Sequence, residues 1–414
     1  MSDVGIPTIA PVAPAAFRPS TSLALALPVF AGTLFLSAFL LFGVQPMFTK
    51  MVLPRLGGSP SVWSVAMCFF QGALLLGYAY AHVLTTRFSP RAAVLTHLAV
   101  LVVAFLSLPI AVATGWGDAP ASGTSFWLVG LFSVSVGLPF FAVAGNAPLL
   151  QAWFSRTGHA HAGDPYFLYG ASNIGSLLAL LAYPVLVEPS LTLADQSLAW
   201  KAGFGVLAVL VAASALVMLA RNSAISAVSG VDVAREDAAP GMRDRAVWVG
   251  LSFVPSALLV AVTAHVSTDV AAAPFLWVVP LALFLVTFII TFQRNPVLPH
   301  ALMLKLQPFV MAPLAVSAIF IAPDSWFTAL ALALSAFFVS TMVAHGELVR
   351  RRPAAGHLTE FYLWMSVGGV LGGSFSGLLA PNLFNTVLEY PILLALCLAC
   401  RPGVFGLPRA TYLR

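Results

Sequence analysis

Lys50, His82, His265, Asp269, His345, Glu347 and Glu360 are ionisable side chains that stand within or against long apolar runs, together with the polar Gln45, Gln71, Asn146 and Asn173. A charge at the centre of a bilayer costs about 2.5–3.5 kcal/mol, so such groups face a bundle interior or a water-filled path and commonly handle ions, protons or polar cargo. Lys50 and Asp269 are a cation and an anion near the ends of two separate apolar runs. Brought together they would form an ion pair that closes or couples a path; left apart at a wet interface, such a pair contributes only about 0–1 kcal/mol. His265 lies one helical turn before Asp269, with Thr263 and Thr268 nearby. Its imidazole titrates near neutral pH and suits a proton site, or equally a hydrogen bond between helices. His345 and Glu347, then Arg350-Arg351-Arg352, His357 and Glu360, form the densest charged cluster, which reads as a basic-anchored loop whose flanking His345, Glu347 and Glu360 make inter-helix ion pairs or a gate. Neither that cluster nor His159, His161 and Asp164 has the spacing of a standard zinc site, and the latter group reads as a solvated loop. Cys397 and Cys400 have redox-motif spacing but sit in apolar sequence, which reads as two packed thiols.

The elements that must position these groups are set by composition. Of 414 residues, 60% are apolar and 8% charged, against about 25% charged in a soluble domain. The apolar residues fall in blocks long enough, at about 1.5 Å per residue, to cross a hydrocarbon core of about 30 Å. The blocks are continuous rather than alternating, so they are helices and not barrel strands. They run over about 26–48, 61–84, 92–113, 126–150, 166–187, 200–220, 246–264, 274–292, 301–321, 325–344, 360–380 and 386–400. The seventh is short and contains Pro255, which leaves eleven spans as the alternative count to twelve. The expectation is an all-α integral membrane protein with no soluble catalytic domain, no bound cofactor and the lipid bilayer as its partner.

Basic residues assign the sides. Arg87, Arg91, Arg156, Arg221, Arg235, Arg243, Arg245, Arg294, Arg350, Arg351 and Arg352 fall in every second loop, whereas Asp118, Asp195, Asp269, Asp324 and Glu389 mark the others. This positive-inside pattern places both termini in the cytoplasm of a multi-pass inner-membrane protein. It also accounts for the net charge of +5 without nucleic acid. Lys50, Arg55 and Lys201 are exceptions. Residues 1–25 read as a disordered tail, 26–220 and 246–402 as two six-helix halves, 221–245 as a cytoplasmic linker and 403–414 as a second tail.

The halves share a pattern. Tyr166-Phe167-Leu168-Tyr169, Ser172, Gly175 and Pro184 in the fifth span match Phe361-Tyr362-Leu363-Trp364, Ser366, Gly369 and Pro381 in the eleventh. Ser37-Ala38 in the first span matches Ser256-Ala257 in the seventh, which sets Thr49-Lys50 against Thr268-Asp269. Parallel six-helix repeats are the arrangement of major facilitator transporters. Gly369, Gly373 and Gly377 recur every fourth residue and predict a close helix contact.

Phe39-Leu40-Leu41-Phe42, Gln45-Pro46, Lys50, Leu53-Pro54, Gly57-Gly58-Ser59-Pro60 and Trp63 resemble the opening of the bacterial membrane proteins known as fused spermidine synthases. Asp164-Pro165-Tyr166-Phe167-Leu168-Tyr169, Ser172-Asn173, His345-Gly346-Glu347-Leu348 and His357-Leu358-Thr359-Glu360-Phe361-Tyr362 extend the resemblance from about Leu34 to Pro402. In that family a major-facilitator-like membrane region is often followed by an aminopropyltransferase-like domain. No later spans and no Gly-rich nucleoside-binding loop follow here, so the enzymatic label is not carried over. The leading expectation is a secondary transporter or exporter of a small molecule, with a polyamine or related cation as candidate cargo and Asp269 and Glu360 as counter-charges. The alternative is a membrane scaffold for a separate soluble synthase-like enzyme, docking on Arg350–Arg352 and on the linker. An intramembrane enzyme using His345, Glu347 or His265 is a third reading, for which no nucleophile and base are in register.

Overall fold

Each apolar block folds as a helix, because a helix alone satisfies every backbone donor and acceptor within one segment in lipid. The computed structural model describes residues 21–56, 60–120, 123–228, 239–266, 278–319, 326–384 and 388–404. We number the helices α1 (Thr21–Leu56), α2 (Pro60–Arg87), α3 (Pro90–Leu106), α4 (Thr124–Phe154), α5 (Pro165–Ser190), α6 (Leu193–Val228), α7 (Met242–His265), α8 (Val278–Thr291), α9 (His300–Ile319), α10 (Trp326–Arg350), α11 (Ala355–Leu383) and α12 (Glu389–Ala399). Among the described residues eight of these are long and apolar enough to cross a membrane, and α3, α8, α9 and α12 are shorter apolar helices. Large apolar side chains such as Leu95, Leu106, Val185, Leu216 and Phe309 point outward. Such a surface in water would be an aggregation liability, and against acyl chains it is the ordinary one.

Helix pairings repeat with an offset of six. α1 packs on α5 and α6 as α7 packs on α11 and α12, and α2 on α4 as α8 on α10. The two sets meet along α2–α11 and α5–α8, which exchange under the same offset. One apolar core fills α1–α6. A second fills α7–α12 and also takes in Tyr78 and Tyr166 from the first set.

Glycine sets the closest approaches. A Cβ on Gly175 of α5 would meet the Phe35 carbonyl of α1, and one on Gly368 or Gly372 of α11 would meet the Val249 or Phe253 carbonyl of α7. The expected stripe is therefore displaced. Nothing lies within 4 Å of a Cβ on Gly369 or Gly377, and Gly373 faces Gln71 of α2 instead. Glycines 368 and 372 are also four apart, so both rows satisfy the small-residue rule, and only the rotation of α11 chooses between them.

Proline and π-turns shape the long helices. Pro28, Pro46 and Pro54 lie inside α1. Near Pro46 the Gln45 amide donates to the Leu41 carbonyl at 3.2 Å, and the Thr49 hydroxyl to the Gln45 carbonyl at 2.7 Å. Pro46 itself removes the amide donor of the Phe42 carbonyl. Five-residue π-turns interrupt α5 at Tyr183–Val187 and α11 at Phe375–Leu379, and α4 at Ser133–Gly137. Those in α5 and α11 fall on helices related by the six-helix offset.

Candidate functional site

At the end of the bundle that carries the arginines, side chains of the two helix sets lock together across the interface. Tyr362 of α11 donates its hydroxyl to Gln151 Oε1 of α4 at 2.9 Å, and Gln151 is fully buried. Its amide nitrogen is occupied by the Ala147 carbonyl at 3.1 Å, which leaves Oε1 for the tyrosine. The Tyr362 ring also packs on Tyr78 of α2 and on Tyr166 and Tyr169 of α5, at centroid distances of 6.3, 5.9 and 5.1 Å. Tyr169 in turn packs on Phe288 and Phe292 of α8. Toward the end of the helices, Thr359 of α11 sits between His82 and Thr85 of α2, 3.0 Å from each. The Thr85 hydroxyl donates to its own backbone at Ala81. Its oxygen therefore accepts from Thr359, whose oxygen accepts from His82 Nδ1–H, so the chain of bonds selects the histidine tautomer. The loop after α10 closes the layer. Tyr166 donates to the Pro353 carbonyl at 2.9 Å, and Arg352 pairs with Asp164 at 2.7 Å while stacking over Tyr166.

Two charge clusters flank this layer inside α7–α12. Glu347, 1% exposed, accepts from His300 at 2.8 Å and from Arg351 at 3.3 Å. Removing one partner from such a buried group leaves the other charge uncompensated. Glu360 accepts from Arg245 at 2.6 Å, and His357 lies 3.6 Å from its second oxygen. Trp248 of α7 ties the same region by donating to the Arg351 carbonyl at 2.9 Å.

The expected site residues divide between this layer and the rest of the bundle. Among the described residues Lys50 pairs with Glu188 of α5, in its own helix set. Asp269, its expected partner, lies outside the described residues. His265 stacks on Tyr390 of α12 at 4.7 Å and 18°. Gln45 and Asn173 both donate to carbonyls within their own helices, Asn173 to Tyr169 at 2.8 Å. His345, 1% exposed, faces α8: its Nδ1 is 2.9 Å from Thr287 and its ring stacks on Phe288 at 3.8 Å and 19°. The Thr287 hydroxyl donates to the Phe284 carbonyl, so His345 is the donor at Nδ1. His345, Glu347 and His357 thus point to three different partners rather than to one ion.

The loop of His159, His161 and Asp164 is tied down rather than freely solvated. His161 contacts Arg294 of the loop after α8 at 2.6 Å, and Asp164 holds Arg352. Partial burial, then the neighbouring His161 and Arg294, hold the His159 imidazole below its ordinary pKa. Glu188, His300, Gln151 and Tyr78 were not singled out by sequence. Nor was His97, fully buried in α3, which contacts Asn146 at 2.8 Å and Tyr80 at 3.3 Å while Asn146 donates to Ser37 at 3.0 Å. A histidine inside an apolar block is itself the signal that would have found it.

Fold and layer together define a multi-pass helical membrane protein with the major facilitator fold. The chain is similar to the major facilitator superfamily proton:xylose symporter XylE, a protein of E. coli, at 13% identity over 92% of this chain and 94% of that chain, with a TM-score of 0.54. It is similar to a bacterial homologue of the iron transporter ferroportin in an outward-facing state, at 15% identity, 90% and 96% coverage and a TM-score of 0.55. It is also similar to the human organic anion transporter MFSD10, at 13% identity, 92% and 99% coverage and a TM-score of 0.53. At these identities the likeness is one of fold. No protein-family model matches the chain, and no curated protein matches it.

Proposed function

We propose that this protein is a secondary transporter that moves a small molecule by rocking its two six-helix halves, α1–α6 against α7–α12, about the α2–α11 and α5–α8 seams. The observation that carries the reading is the closure layer. Its bonds from Tyr362 to Gln151, His82 and Thr85 to Thr359, Tyr166 to Pro353 and Asp164 to Arg352 each join one half to the other. A layer made of single hydrogen bonds and ring contacts across an interface can be broken and remade as a unit, because packed interfaces have discrete arrangements. The positive-inside pattern supports a cytoplasmic side for the layer, in an inner membrane with both termini inside.

A polyamine or related cation is the first cargo to test, on the resemblance to the membrane region of fused spermidine synthases. The direct experiment is uptake of labelled putrescine and spermidine into proteoliposomes, with Asp269→Asn for comparison. Saturable flux that falls in the variant supports both the transporter and the cationic cargo. Flux of other solutes only would remove the polyamine and keep the transporter. The scaffold reading would use the Arg350–Arg352 loop, where Arg351 and Arg352 pair with Glu347 and Asp164, and the linker, of which residues 229–238 lie outside the described residues.

A further inference from the structure

Among the contacts that join the two helix sets, one is made by a histidine in a role that only its neutral form can fill. The loop after α4 carries His159 and His161, and the loop after α8 carries Arg294. Arg294 Nη1 stands 2.6 Å from His161 Nδ1, and its guanidinium lies 4.9 Å from the centre of the Phe167 ring at the start of α5. A guanidinium can only donate, so Nδ1 of His161 is the acceptor and the ring carries its single proton on Nε2. His159 is fixed in the same way. Its Nδ1 accepts from the backbone N–H of His161 at 3.1 Å, and a backbone N–H also only donates. The turn that presents both rings is closed by the Ala162 N–H to the His159 carbonyl at 2.8 Å and the Asp164 N–H to the His161 carbonyl at 3.3 Å. The His159 ring packs on Phe154 at 5.3 Å and the His161 ring on Phe167 at 6.0 Å.

A second proton on either imidazole must go to Nδ1. It removes the acceptor and sets one N–H against another, and at His161 it also sets a cation against the Arg294 cation. The remaining charges about the loop do not relieve this. Asp164 is engaged by Arg352 of the loop after α10 at 2.7 Å, and Arg156 at the end of α4 is a further cation. Other histidines near this end behave differently. His300 and His357 face the carboxylates of Glu347 and Glu360, where an imidazolium is the stronger donor. His82 and His345 donate from Nδ1 to Thr359 and Thr287, and a second proton on Nε2 leaves those bonds in place. Of these six, His159 and His161 are the two whose bonds a proton breaks.

We propose that His159 and His161 form a proton-operated latch on the closure layer: with both rings neutral the loop after α4 is tied to Arg294 and the layer is shut, and acid on that side releases it. The latch deepens the transporter reading and rests on it for the parting of the halves. The shut layer holds His159 below its ordinary pKa, through partial burial and then through His161 and Arg294. Its contribution to the shut state is therefore present above the ordinary histidine value of about 6.5 and is lost as pH falls from there toward the lowered one. Each proton excluded in this way shifts the ratio of shut to open by up to about tenfold per pH unit.

The experiment places nitroxides at Phe88→Cys and Val297→Cys, exposed positions in the loops after α2 and α8 and so on opposite halves, in a Cys68→Ser background. Distances between them are read by double electron–electron resonance in nanodiscs at about pH 7.5 and about pH 5.5, on either side of the histidine range. The long-distance population should rise about threefold or more in acid. In the double variant His159→Asn and His161→Asn, side-chain oxygens replace the Nδ1 acceptors and do not titrate, so that rise should vanish. Arg294→Gln can donate to neutral His161 or accept from its protonated form, and should blunt the rise. Tyr362→Phe breaks a different bond of the layer and should lengthen the distances at both pH values. An acid response that persists in full in the double variant or in Arg294→Gln overturns the latch. So does an absent acid response while Tyr362→Phe lengthens the distances, and the rocking of the halves then stands without the latch. Distances that lengthen in no sample, Tyr362→Phe included, overturn the rocking and the latch together.

Discussion

At the residue scale the decisive groups are those whose polarity is costly where they stand. Glu347 is stabilised by His300 and Arg351 together, in an environment that excludes water. Glu347→Gln leaves two donors without their anion, and the loss of one partner from a buried pair costs about 3–5 kcal/mol. The expected outcome is a marked fall in the melting temperature of the purified protein, read by fluorescence-detected size exclusion after heating. Gln at 300 in place of His keeps a donor toward the carboxylate and should cost less. Tyr362→Phe makes a subtler change. It removes the hydroxyl that fills Gln151 Oε1 while keeping the ring against Tyr78 and Tyr169. One hydrogen bond of about 1 kcal/mol corresponds to about a fivefold change in the balance between closed and open layers. In a Cys68→Ser, Met365→Cys background, where the new thiol lies just beyond the layer and buried, maleimide labelling from the arginine-rich side should rise by that factor. Unchanged labelling would mean that the bond does not hold the layer shut.

At the element scale the close approach of α11 to α7 depends on two glycines and not on their neighbours. Gly368→Ala and Gly372→Ala drive a Cβ into backbone carbonyls of Val249 and Phe253 that cannot move alone. Overpacking of this kind costs about 1–3 kcal/mol, so folded yield should fall. Gly369→Ala and Gly377→Ala meet nothing within 4 Å. With alanine about 1 kcal/mol better than glycine within a helix, both should be tolerated or stabilising. The comparison also shows where sequence stops being legible. The helices themselves were readable because lipid demands length and continuous apolarity, two properties written directly along the chain. Which face of α11 meets α7 was not, because Gly368 and Gly372 follow the same four-residue spacing as the row beside them. Pairings between helices were harder still. Matching the repeats set Lys50 against Asp269, which lies outside the described residues; among those described Lys50 pairs with Glu188, because α5 lies along α1 and ends beside it. Gln151 and Tyr362 are 211 residues apart, and nothing local to either position names the other. His97 was legible and overlooked, since a lone histidine in an apolar block needs a partner wherever it is found.

At the scale of the whole molecule the closure layer must open if the halves rock, and this can be tested by preventing it. Thr85 Oγ1 and Thr359 Oγ1 are 3.0 Å apart across the α2–α11 seam. Sulfur atoms placed there fall close to bonding distance, since a disulfide needs Cβ atoms about 3.5–4.5 Å apart. The double variant Thr85→Cys and Thr359→Cys should therefore cross-link on mild oxidation, in a Cys68→Ser background that leaves only the buried Cys397 and Cys400. A covalent bond at this point ties α2 to α11 at the end where the halves must part. Flux should vanish in the oxidised protein and return on reduction with dithiothreitol, while the same oxidant should leave either single variant active. Loss of flux on oxidation with recovery on reduction is the pattern expected of an inner gate. Full flux in a demonstrably cross-linked protein would mean that cargo does not pass through this layer, and the hydrogen bonds from Tyr362, Thr359, Tyr166 and Arg352 would then serve only to hold the two helix sets together.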